Sequence, residues 1–157
     1  MIIRKLEEED LEAVNAICMD SFLQSVAGSL SDEGITTFSN IAACDAFLGR
    51  MKGDNLILVA ESDEKIEGVI ELKEGRHIAM LFILPERQKN GIGRKLLLSA
   101  LSYAKTETVT VSASLSSVTA YEKYGFERSG EVDESAGLVY QPMEIKLNER
   151  QACVLQP

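Results

Sequence analysis

One stretch constrains this fold more than any other: Ile78 to Leu101, IAMLFILPERQKNGIGRKLLLSAL. It opens with Ile78 to Leu84, apolar at almost every position, and stops at Pro85. Such a run reads as a strand covered on both faces, because a strand with one wet face alternates. A short polar, basic segment follows, and then Gly91-Ile92-Gly93. From there Ile92, Leu96, Leu97, Ala100, Leu101 and Ala104 recur at helical spacing, which predicts a helix from Gly91 to Lys105. Strand, glycine turn and helix start in that order make an anion cradle. The first N–H groups of a helix have no internal partner, and its dipole is positive at that end. Glycine lets the backbone approach a phosphate with no Cβ in the way.

The rest of the chain supplies layers around that stretch. Ile2, Ile3, Arg4 and Leu6 read as a first strand. Glu7-Glu8-Glu9-Asp10 load a helix start with carboxylates. Leu11, Val14, Ile17, Cys18, Phe22 and Val26 then keep helical period. Gly28 to Asp32 is a break, and Ser31-Asp32-Glu33 is a second helix start. Helix in one or two pieces is expected as far as Lys52, with Ile35, Phe38, Ile41, Ala42, Phe47, Leu48 and Met51 on its apolar face. Leu56 to Ala60 and Ile66 to Leu72 read as a hairpin around Ser62 to Lys65, and Ile78 to Leu84 completes a meander. Thr108 to Ala113 is a β-branched strand. Ser116 to Tyr124 is a short helix ending at Gly125, a C-cap glycine. Phe126 to Val132 and Leu138 to Leu147 are expected as two closing antiparallel strands, and Gln151 to Pro157 as a loose tail. The predicted class is α/β: a mixed, mostly antiparallel sheet with helices on both faces. One domain over 1–148 and a tail over 149–157 are expected, without internal repeats or a linker.

Length and charge narrow the function. A chain of 157 residues can bury a substantial core. A net charge of -9 argues against general nucleic-acid binding. A solvated acidic surface explains that charge at least as well as a cationic substrate does. Cys18, Cys44 and Cys153 stand far apart with no C-x-x-C spacing, so they read as reduced thiols in a cytoplasmic protein and not as a disulfide or zinc framework. Neither a signal peptide, nor a membrane-spanning run, nor a metal site is expected from the sequence.

Three kinds of glycine loop compete for the central stretch. A P-loop needs Gly-x-x-x-x-Gly-Lys-Ser/Thr, and here Gly93 is followed by Arg94-Lys95-Leu96, with no hydroxyl for magnesium. A dinucleotide fingerprint needs a third glycine and glycines directly after the strand. Leu96 stands at the third position, and Pro85 to Asn90 intervene. The third kind fits. Gln88-Lys89-Asn90-Gly91-Ile92-Gly93 resembles the Gln/Arg-x-x-Gly-x-Gly/Ala signature of the GNAT (GCN5-related N-acetyltransferase) family. Leu81 to Glu86 looks like that family's fourth strand and the bend after it. Ala120-Tyr121-Glu122-Lys123-Tyr124-Gly125-Phe126-Glu127 looks like its Phe-Tyr-Glu-Lys-x-Gly-Phe segment. Val109 to Phe126 and the closing Val139 to Glu144 are similar to small bacterial members of the YafP-like type. The resemblance covers Leu56 to Leu147.

The resemblance implies the acyl-CoA N-acyltransferase fold and a reaction: acetyl transfer from acetyl-CoA to a primary amine, by direct attack in a ternary complex. It implies that backbone N–H groups over Gln88, Lys89, Asn90, Gly91, Ile92, Gly93 and Arg94 hold the pyrophosphate of acetyl-CoA. Arg87, Lys89, Arg94 and Lys95 form a positive patch that suits such an anion. In the family the fourth strand splays from the fifth at a bulge, and pantetheine lies in the gap like an added strand. That implicates the main chain of Leu81, Phe82 and Ile83, with a Leu81 N–H polarising the thioester carbonyl. Tyr121 matches the tyrosine that protonates the departing thiolate, a role a phenol of pKa about 10 can fill. Tyr124 reads as structural. Relatives often carry an asparagine near the end of the fifth strand; here Ser112, Ser114, Ser116 and Ser117 stand there, with Ser114 and Ser116 the candidate pantetheine contacts.

The general base stays open between Glu71, His77 and a water chain, since relatives that use a glutamate on the fifth strand would place it near Thr110. A non-catalytic acyl-CoA-binding sensor is the alternative function, separated from the enzyme at Tyr121. No cysteine sits in a nucleophile motif, so an acetyl-enzyme is not expected. The partner is a small-molecule or peptide amine, with no nucleic acid and no membrane. Homodimers are common among similar proteins, and the sequence carries no signature for or against one.

Overall fold

The computed structural model describes residues 1–25 and 31–147. The expected Val26 position, most of the break at Gly28 to Asp32, Cys153 and the tail lie outside them. In chain order the elements are β1 (Ile2–Lys5), α1 (Leu11–Ser25), α2 (Asp32–Ile41), α3 (Cys44–Met51), β2 (Asn55–Ser62), β3 (Lys65–Lys73), β4 (His77–Ile83), α4 (Ile92–Leu101), β5 (Thr108–Ala113), α5 (Val118–Lys123), β6 (Glu127–Arg128), β7 (Asp133–Ser135) and β8 (Leu138–Lys146). The strands lie in the order β1-β2-β3-β4-β5-β8-β6, and β7 pairs with the start of β8. Every registered pair is antiparallel except β4 with β5. This is the mixed, mostly antiparallel sheet expected from the sequence. Among the described residues no helix is long and apolar enough to cross a membrane.

The sheet separates two apolar cores. On one face α4 and α5 bury Leu96, Leu97, Ala100, Val118 and Tyr121 against Leu58, Ile70, Leu72, Ile78, Val109, Val111 and Met143. On the other, α1, α2 and α3 bury Val14, Ile17, Phe22, Phe38 and Phe47 against Ile57, Val59, Val69 and Met80. Period-two alternation along β2 and β3 sends successive residues to opposite cores, which is why both strands are mostly apolar, with Glu67 and Glu71 of β3 as buried exceptions. The helix starts are local. Asp10 closes a turn ahead of α1 by accepting from the Glu7 N–H. Ser31 Oγ accepts from the Gly34 N–H to cap α2.

Three expectations are corrected. The helix expected to Lys105 ends at Leu101. Its last N–H groups, Tyr103 and Ala104, bond three residues back to Ala100 and Leu101, and the Lys105 N–H leaves for the Gly75 carbonyl in the β3–β4 turn. The strand expected over Phe126 to Val132 survives only as Glu127–Arg128. Opposite it stands Pro142, which has no N–H to extend the ladder. The Ser129 N–H reaches the Pro142 carbonyl, and the Gln141 side chain takes the Gly130 carbonyl instead. The closing segment therefore bends away and re-pairs as β7. Finally, β4 is not covered along its whole length. Ile78 and Met80 are buried, but Ala79 is exposed and Leu81, Phe82 and Ile83 are only partly covered.

Candidate functional site

The incomplete cover of β4 marks where the sheet parts. β4 and β5 are registered only at His77 with Thr110 and Ile78 with Val111. Beyond them the two strands run on without a partner on that side. Opening begins beside a bulge: Met80 faces Glu71 and Ile78 faces Leu72, so Ala79 is skipped. Strand alternation then decides which main-chain groups enter the gap. The Leu84 N–H donates to the Glu67 carbonyl at 2.7 Å, so Phe82, two residues back, also turns toward β3, where it faces Val69. Leu81 and Ile83 turn the other way, into the gap. Of the three main chains expected there, Phe82 is thus spent on the ladder. The Ile83 carbonyl already accepts from Ser21 Oγ of α1 at 2.9 Å and from Gln88 Nε2 at 3.2 Å.

The gap leads to the α4 N-terminus. Pro85–Arg87 forms one turn of 3-10 helix and hands the chain to the glycine loop. Lys89 at φ +68° and Gly91 at φ +81° bracket Asn90, so the backbone turns left-handed twice within three residues, an alternation of the kind from which anion-binding nests are built. Gly93 follows in the first turn of α4. A Cβ there would lie 2.8 Å from the Tyr124 hydroxyl, so only glycine lets that tyrosine cross the helix start. Ile92 and Gly93 are buried, whereas Gln88, Lys89, Asn90, Arg94 and Lys95 are exposed around them. Arg87 does not belong to the free positive patch: its Nε donates to Glu67 at 2.8 Å and ties the loop to β3.

Tyr121 stands on the α4 side of the opening. It is 6 % exposed and shares a core with Ile78, Val111, Ala113 and Leu81. Tyr124 and Phe126 hold its ring edge-on at 6.0 and 5.3 Å between centroids. Burial, with a smaller contribution from Tyr124, pushes its phenol above the ordinary range, so it stays protonated. Beyond β5, Ser114 and Ser117 are hydrogen-bonded to one another at 2.8 Å across a turn of 3-10 helix, and Ser116 is exposed beside them.

The two base candidates part company. Glu71 is fully buried under α1 and α3, and its Oε2 accepts from Arg50 Nε at 2.8 Å and from Asn55 Nδ2. Arg50 stacks over Phe47 and also holds the Ile41 carbonyl, so this ion pair fastens the α2–α3 corner to the sheet. His77 lies in the first of the two closed β4–β5 pairs, with Ile78 and Val111 the last before the gap. Its Nδ1 is 2.7 Å from Thr110 Oγ1. Burial, then Arg76 and Lys73, holds its pKa below the ordinary histidine value. Sequence reading missed Arg50, Asn55, Ser21, Glu67 and Thr110 as partners. Each meets its partner 16 to 62 residues away, and no local spacing announces that. Among the described residues, no group of His, Cys, Asp and Glu is placed to hold a metal ion.

Comparison with known proteins agrees with this fold. The acetyltransferase (GNAT) domain family matches residues 26–147. No curated protein matches the chain. Among solved structures, a Rhodopseudomonas palustris protein described as a GCN5-related N-acetyltransferase superposes with a TM-score of 0.81 at 23 % identity, covering 93 % of this chain and 95 % of that one. The PaiA N-acetyltransferase of Thermoplasma acidophilum, solved with coenzyme A, gives 0.74 at 25 % identity over 93 % and 98 %. The apo form of YjaB from Escherichia coli gives 0.69 at 27 % identity over 92 % and 96 %.

Proposed function

Because the chain belongs to the GNAT acetyltransferase family, and is by that membership an acetyl-CoA-dependent N-acetyltransferase, we propose that it moves the acetyl group onto a primary amine by direct attack in a ternary complex. One observation carries this reading: Ile83, whose main chain faces the gap between β4 and β5, lies against the glycine loop and helix start, its carbonyl accepting from Gln88 Nε2 at 3.2 Å and its side chain 3.8 Å from where a Cβ at Gly93 would stand. A linear cofactor with an anionic middle and an amide-bearing arm fits that shape, as PaiA's coenzyme A complex supports. The N–H groups from Gln88 to Arg94 would hold the pyrophosphate, and Lys89, Arg94 and Lys95 would add charge around it. The arm would lie along Leu81 and the Ile83 N–H, with Ser114 and Ser116 at the far wall. Phe82 would contribute through its side chain alone.

Acetyl-CoA supplies an acyl group activated as a thioester. The chain's own groups then have three tasks. The Leu81 N–H polarises the carbonyl oxygen, and its placement in a narrow gap raises its effect. Tyr121, kept neutral by burial, donates its proton to the departing sulfur. The bulge leaves Ala79 exposed, with room for an amine arriving from the α1–α3 face. The likeness to YafP-like members, the single domain over 1–148 and a cytoplasmic setting are parts of the same proposal; Cys18 and Cys44 are free thiols, in keeping with the last.

Tyr121→Phe tests the reading. Turnover with a panel of amines should fall by about 10²-fold or more, while CoA affinity measured by calorimetry stays within about threefold of the parent. Unchanged turnover removes Tyr121 from the reaction. Tight CoA binding with no amine acetylated by the parent protein turns the reading toward an acyl-CoA sensor.

A further inference from the structure

We infer that His77, oriented by Thr110 across the β4–β5 seam, is the proton acceptor for the incoming amine. This rests on the acetyl-transfer reading above. Glu71, the other candidate, has no free path to an amine: it is sealed from solvent, Arg50 and Asn55 hold its Oε2, and its Oε1, though without a hydrogen-bond partner, is buried as well.

Three observations converge on His77. First, it occupies one of the two registered pairs of the seam, one pair back from where the strands part after Ile78 and Val111, and lies two residues ahead of the exposed Ala79. Second, faces alternate along both strands. Ile78, Val109 and Val111 belong to the α4 core, so His77 and Thr110 present their side chains to the α1–α3 side. Tyr121 lies in the α4 core. Acid and base thus stand on opposite sides of the gap, so an amine can be deprotonated on one side while sulfur is protonated on the other. Third, Nδ1 is engaged by Thr110 Oγ1 at 2.7 Å, and Nε2 has no hydrogen-bond partner among the described residues.

The chemistry requires one tautomer. Nδ1–H donates to Thr110 Oγ1, and Nε2 presents its lone pair. An ammonium N–H bond breaks, the proton binds Nε2, and the amine keeps the electron pair with which it attacks. The imidazolium returns the proton to solvent after the product leaves. The charged groups around the ring are Arg76 beside it, Lys73 opposite on β3, and Glu144, which faces Thr110 from β8. Glu71, further along β3, is already paired with Arg50. Burial and the two cations keep the ring neutral at pH 7, the form that can accept.

The chain has one histidine, so its imidazole signals are unambiguous in tag-free protein. Long-range proton–nitrogen spectra should show the Nδ1–H tautomer in the parent and in Thr110→Ser, and a shift toward Nε2–H in Thr110→Val. kcat/KM should fall by about 10²-fold in His77→Gln, with loss of the acid limb of its pH profile. It should fall by about tenfold in Thr110→Val and recover in Thr110→Ser. CoA affinity, read separately, should stay near the parent value in all three. An Nε2–H tautomer in the parent overturns the inference whatever the turnover. So does acetylation by His77→Gln within about threefold of the parent with the acid limb intact. A parent protein that binds CoA and acetylates no amine overturns the acetyl-transfer reading, and the base falls with it.

Discussion

Arg4 and Asp10 meet where β1 passes toward α1. The guanidinium forks onto the carboxylate at 2.8 and 3.0 Å, while the Glu7 N–H donates to the same group and Glu61 sits on the other side of Arg4. Asp10 is 8 % exposed, so these bonds replace nearly all of its water. The Arg4 hydrogen bonds, against the desolvation cost, hold its pKa below the ordinary carboxylate value. The sign follows from linkage: the unfolded chain binds the proton first, so the stabilisation is complete above the unfolded value and is lost as pH falls through the folded one. Asp10→Asn should cost about 1–3 kcal/mol in urea unfolding at pH 7, and the deficit should shrink steadily below the carboxylate range. A deficit that does not change with pH would mean that the pair contributes through packing alone. At this scale the sequence was legible wherever a residue answers to its near neighbours. Glu7 to Asp10 announced a helix start, and Ser31 a cap. It was silent where the partner is distant in sequence, as with Arg50 for Glu71 or Thr110 for His77.

At the scale of elements, hydrophobic period located nearly every helix and strand, because burial on a helix face or a strand face is itself periodic. It failed at Phe126 to Val132, where one proline on the opposite strand removes a donor that pattern cannot register. It also could not divide β4. Leu81, Phe82 and Ile83 are alike in composition, and only the register with β3 shows which main chains face the gap. That division predicts hydrogen exchange. The Phe82 and Leu84 amides, turned toward β3, should be protected in the free protein. The Leu81 amide should exchange much faster and become protected when CoA is added. Equal protection of Leu81 and Phe82 without ligand would contradict the register, and no change at Leu81 with CoA bound would move the cofactor arm elsewhere.

For the whole molecule, one sheet shared by two cores should unfold as a single cooperative unit. Phe47 and Leu96 are both fully buried and lie on opposite faces. Phe47→Ala should cost about 3–5 kcal/mol and Leu96→Ala about 2–5 kcal/mol, each within one urea transition. Their effects should add in the double variant, since the two share no core cluster. Two separated transitions would show that the faces unfold independently. The class of fold was legible from the order and spacing of elements, whereas the depth of the opening was not, because it depends on where two strands stop pairing. That boundary has a mechanical meaning. Side by side, β2 is laced to β3 from Asn55 to Ser62 and β5 to β8 from Thr108 to Ala113, but β4 is laced to β5 only through His77 and Ile78. Pulled sideways in its own plane, the sheet has a perforated line there, like a stamp. The molecule keeps a weak joint in the middle of its sheet, where a guest strand could be slipped in and later withdrawn.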